Sequence, residues 1–157
     1  MENLLLAAHV VAGILFVGPI AVATSLFPRF GSTRSDPMPG PIPAISSAPS
    51  AGEGGVSVAR FLHRTTRVYA LLALAVPAFG LVLAAVQGRL TEIWVVAAMV
   101  LTAVAGAILA LRIVPAQRDA LMAPGRADLK GLRILTGVFN LVWVVVVVLM
   151  IVRPGAR

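Results

Sequence analysis

The sequence predicts an all-α protein, a four-helix transmembrane bundle with both termini outside and a long Pro-rich cytoplasmic first loop. Three observations carry this. Of 157 residues, 59% are hydrophobic and 12% charged, against about 45–50% apolar and about 25% charged in soluble domains. Four long stretches, 4–27, 68–86, 93–111 and 135–152, contain no Asp, Glu, Lys or Arg, and a spanning helix needs about 20 mostly apolar residues. The basic residues also fall on one side of those stretches. All 157 residues then form a single membrane domain.

The stretches are apolar on every face, whereas barrel strands alternate over about 10 residues. In lipid every backbone polar group must be satisfied within the segment, which selects helices. The first stretch follows Met1-Glu2-Asn3 and has no basic n-region. It also exceeds the apolar core of about 7–15 residues in a signal peptide, so it reads as an uncleaved first helix.

Pro28 to Ser57 holds six of the eleven prolines, including Pro37, Pro39, Pro41 and Pro43. Proline removes a donor and disfavours helix at the residue before it. Residues 28–57 therefore read as a flexible Pro/Gly/Ser-rich linker. A Pro-rich docking peptide is the alternative use of such a stretch.

Orientation follows from loop charge. The first connection and its edges carry Arg29, Arg34, Arg60, Arg64 and Arg67, and the third carries Arg112, Arg118, Arg126, Lys130 and Arg133. Only Arg89, Arg153 and Arg157 lie on the other side. Ten against three puts the first and third loops in the cytoplasm of a multi-pass plasma-membrane protein. The net charge of +7 is then a topology signal, and nucleic acid is excluded as a partner. Trp94 and Tyr69 fall where interfacial aromatics belong, and Trp143 falls mid-span.

Arg60, Arg64 and Arg67 are spaced four and three apart, so a helix places them on one face with His63 beside them. They read as contacts to anionic headgroups or to an acidic partner surface. Ala98, Thr102, Gly106 and Ala110 form a four-residue-spaced small stripe in the third span, and Gly80, Ala84 and Gly88 form another in the second. Small residues permit close helix approach in lipid. The expectation is that these two faces pack as a hairpin, so that Gly106→Leu destabilises the fold. Pro19 and Pro77 predict kinks.

Ionisable groups within spans reduce to His9, expected to bond backbone, Gln87 or Glu92. On the fourth span Thr136, Asn140 and Trp143 share a face that should turn into the bundle. His9 and His63 lie at opposite membrane edges and cannot share one haem. A haem on a single histidine stays a minor alternative, and the expectation is no cofactor. There is no paired carboxylate, no metal-ligand histidine cluster, no convergent Ser-His-Asp set and no phosphate-binding glycine loop with lysine. The chain has no cysteine, so thiolate sites are excluded. No catalytic or metal-ligating residues are assigned.

The stretch Leu6-Ala7-Ala8-His9-Val10-Val11-Ala12-Gly13-Ile14-Leu15-Phe16-Val17-Gly18-Pro19, with the later Arg64-Thr65-Thr66-Arg67-Val68-Tyr69, resembles a family of small four-helix integral membrane proteins. That family is common in actinobacteria and catalogued as a domain of unknown function. The resemblance implies a fold and a membrane location, and no activity. The expected role is a non-enzymatic accessory or structural subunit of a larger membrane complex, respiratory or lipid-transport in type, with other membrane subunits as partners. The alternatives are a binding module for lipid, quinone or haem through His9, Asn140 and Trp143, and a small transporter.

Overall fold

The computed structural model describes residues 2–31, 51–123 and 126–155, with backbone alone at 51–53. Four helices among them are long and apolar enough to cross a membrane: α1 (Glu2–Phe30), α2 (Gly54–Val86), α3 (Ile93–Met122) and α4 (Leu129–Val152). Consecutive helices run in opposite directions. α1 packs along both α2 and α4, and α3 packs along α4. α2 and α3 meet mainly near residues 51–72 and 114–122 and touch sparsely elsewhere.

The helices outrun the uncharged stretches. α2 and α3 are 33 and 30 residues long, so at 1.5 Å per residue they exceed a hydrocarbon core of about 30 Å by more than 10 Å. The surplus lies at the end bearing Arg60, Arg64, Arg67, Arg112 and Arg118, here called the basic end. The opposite one, with both termini and the α2–α3 turn, is the terminal end. The expected linker 28–57 is corrected at both edges. Pro28 and Arg29 finish α1, and the backbone is helical again from Ala51. Residues 32–50, the rest of that linker, lie outside the described residues.

Three helices carry an interruption beside a proline. α1 contains a π-turn at Gly13–Val17, two residues before Pro19. α3 contains another at Leu109–Ile113, two residues before Pro115, where the Val114 N–H donates to the Leu109 carbonyl. In α2 the regular helix stops at Leu72 and resumes at Ala75. Pro77 cannot donate to the Ala73 carbonyl, and the Val76 N–H does so instead at 3.0 Å. In α2 this re-satisfies the carbonyl that Pro77 frees, as a lipid environment requires; π-turns such as those of α1 and α3 are local adjustments of the helix. α4 has no internal proline and runs unbroken. Its N-terminus is capped by Asp128, whose carboxylate accepts from the Gly131 N–H at 2.8 Å.

Most of the buried core lies toward the basic end. Ile20, Ala23 and Phe27 from α1 meet Leu62 from α2, Leu109 and Ile113 from α3, and Leu132 and Phe139 from α4. Near the terminal end a smaller buried cluster is formed by Ala84, Trp94 and Val95, with Met150 against it. The outer faces of the uncharged stretches are largely apolar: Ile93 is 82% exposed and Ile151 74%, which suits lipid and not water.

Candidate functional site

The polar groups of the spans fall into four places. The first is the α1–α2 seam. The Nδ1–H of His9 donates at 3.0 Å to the carbonyl of Val76, the second residue after the break in α2. A carbonyl can only accept, so the proton sits on Nδ1. The imbedded ring needs room, and Gly80 supplies it: a Cβ at that position would lie 2.9 Å from His9 Cε1. Gly80 is therefore the seat of the imidazole and not part of an α2–α3 contact.

The second is the α1–α4 seam. The Thr136 hydroxyl, itself buried, donates toward the Thr24 carbonyl at 3.5 Å. One turn on, Asn140 Nδ2 donates to the Ser25 hydroxyl at 3.1 Å, with Ser25 exposed and Asn140 half-buried. Trp143 stands edge-on to Phe139, with ring centroids 6.3 Å apart. Its indole Nε1 is buried and has no hydrogen-bond partner among the described residues. His9, Asn140 and Trp143 thus do not converge: the histidine faces α2, while the other two lie on α4.

The third is the basic end. Arg60, Arg64 and Arg67 are exposed along α2. His63 is half-buried, and its Nδ1–H donates to the Oε1 of Gln117 on α3 at 3.2 Å. Gln117 is fully buried, and its Nε2 has no partner among the described residues. Gln117 was missed in the sequence because it lies beyond the third uncharged stretch, 93–111. Its spacing of four from Ile113 and three from Ala120, both buried, continues the α3 core stripe and was the available signal.

The fourth is the terminal end. Arg89 and Glu92 pair at 3.7 Å, the Trp94 indole N–H donates to the other Glu92 oxygen, and the Arg153 guanidinium lies 5.7 Å from the Trp94 ring centroid. Trp94 is accordingly covered by protein and is not an open interfacial anchor.

The expected small-residue zipper between α2 and α3 does not form. Gly88 is the left-handed residue that ends α2, at φ 68. It donates to the Ala85 carbonyl while the Arg89 N–H reaches the Ala84 carbonyl at 2.9 Å, the Schellman arrangement. Ala84 alone of its stripe lies in a cluster with α3 residues. On α3 the buried face is Ala98, Ala105, Leu109 and Ile113, turned chiefly to α4. Thr102 turns its hydroxyl back to the Ala98 carbonyl at 2.7 Å. Gly106 and Ala110 are exposed, and a Cβ at Gly106 would meet nothing within 4 Å. In lipid, small residues permit close packing without choosing the partner.

Among the described residues no three His, Cys, Asp or Glu side chains come together to hold a metal. Fold and polar groups together define a multi-pass α-helical membrane bundle. No family model, curated protein or solved structure matches the chain, so the family resemblance rests on the two sequence segments alone.

Proposed function

We propose that this chain is a non-enzymatic accessory subunit of a larger membrane complex, of respiratory or lipid-transport type, that works by contact through its α1–α4 face. The observation that carries this is the Ser25–Asn140 pair. It sits within the apolar part of both helices, with Ser25 exposed and Asn140 half-buried at the edge of the bundle. Gly137, one turn before Asn140, is exposed with open space at its Cβ position. A carboxamide facing hydrocarbon leaves donors and acceptors unmet, a cost that another membrane protein's polar groups remove. The flat surface at Gly137 allows a second helix to approach. The ten-to-three basic asymmetry supports a plasma-membrane orientation with the basic end in the cytoplasm and both termini outside.

The test is affinity purification of the full chain in mild detergent, comparing the natural sequence with Asn140→Leu. The expected result is a stoichiometric membrane partner that the variant loses. The fold of the variant should shift by only about 0.6 kcal/mol, a typical interhelical hydrogen bond in a membrane. A chain that runs as a monodisperse monomer from native membranes contradicts the proposal. An absorption spectrum on the same sample reads any haem.

A further inference from the structure

We propose that the face of α2 formed by Arg60, His63, Arg64 and Arg67, with Val68 and Leu71 further along the helix, is a discrete site for the phosphate headgroup of an anionic membrane lipid. The six residues line a shallow groove of about 330 Å³. The groove is built on unbroken helix, since α2 is regular through Leu72. From Arg60 to Arg67 the helix rises about 10 Å, a length on the scale of a lipid headgroup. None of the three arginines pairs with an acidic side chain among the described residues. Their donors are therefore available to phosphate oxygens, which guanidinium binds in two-pronged fashion.

Two features set this apart from a simple charged anchor. His63 does not sample solvent freely, because the buried Gln117 of α3 holds its Nδ1 and fixes the ring at the groove's edge. The groove is also graded. Arg67 is the last charge before Val68 begins the uncharged stretch, and Leu71, 71% exposed, comes one turn later. A phospholipid has that same sequence of chemistry, phosphate first and acyl chain next. A free phosphate has no use for Val68 and Leu71. α2 lies across the bundle from α4, so the site is independent of the Ser25–Asn140 face.

The test is native mass spectrometry of the full chain in mild detergent with phosphatidylglycerol, phosphatidylcholine or inorganic phosphate. The natural chain should retain one phosphatidylglycerol and little phosphatidylcholine. Arg60→Gln with Arg64→Gln should lower retention at least ten-fold. Arg60→Lys with Arg64→Lys should also lower it, because charge alone does not restore the fork geometry. Arg118→Gln, an exposed arginine of α3 outside the groove, should leave it unchanged. Full retention by either double variant, an equal loss in Arg118→Gln, equal retention of phosphatidylcholine, or displacement of the lipid by inorganic phosphate each overturns the proposal. If the double glutamine variant fails to fold, Arg67→Gln alone decides by the same criterion.

Discussion

The two ends of the bundle are held together differently. Toward the basic end, Phe27, Phe139, Ile113 and Leu132 from three helices fill a shared apolar core, each 2% exposed or less. Toward the terminal end, specific contacts replace volume: an imidazole seated over a glycine, a Schellman turn, and a tryptophan covered by an arginine. Prolines on two helices contribute to the division, while the Pro115 turn of α3 lies within the core itself. Pro19 and Pro77 interrupt α1 and α2 on the terminal side of the core, and the regular face each helix could bury is shortened there. One half therefore depends on how much apolar volume it packs, and the other on whether a few atoms fit.

The largest effect should come from the basic half. Phe139→Ala removes a ring that is 1% exposed and should cost about 3–5 kcal/mol, read as loss of thermal stability in detergent. A comparable cost for Val95→Ala, in the small terminal cluster, would erase the distinction between the two ends.

Next comes the glycine seat. Gly80→Leu drives a side chain into His9, where even a Cβ lies 2.9 Å from Cε1, and overpacking of this kind costs about 1–3 kcal/mol. His9→Ala in the same chain should recover most of the loss by clearing the space, which a double-mutant cycle measures. Gly106→Leu is the control. That position is open, so thermal stability should stay within about 0.5 kcal/mol of the natural chain, the usual range for surface changes.

The smallest effect belongs to the terminal end's charged cover. Arg153→Gln removes the cation over Trp94, and exposed contacts of that type are worth about 0.5–1 kcal/mol. Thermal stability should fall by no more than that.

The fold class was legible because the membrane imposes it: runs without charge must be helices, and four of them appear. Helix ends were less legible. Beyond the bilayer α3 continues through Arg112, Gln117 and Arg118 to Met122, where apolarity no longer marks it. Its π-turn before Pro115 was equally hidden, since a proline in the sequence announces a disturbance and not its form. The pairing of faces was the hardest part. Gly80, Gly88 and Gly106 share one spacing pattern with Ala84 and Ala98, yet they serve as a ring seat, a turn and an open surface. Each of those uses depends on what lies opposite, and lipid offers no apolar penalty to choose it. The polar candidates fared similarly: Asn140 and His63 could be named from the sequence, while Ser25 and Gln117, their partners, are 115 and 54 residues away.

Photocrosslinking in native membranes tests the contact face most directly. A photoreactive residue at Leu141, exposed beside Asn140, is compared with one at Leu74, exposed on α2. If the α1–α4 face is the contact surface, position 141 yields one discrete protein adduct, weakened by Asn140→Leu, and position 74 yields lipid adducts alone. Lipid adducts alone from both positions would contradict it.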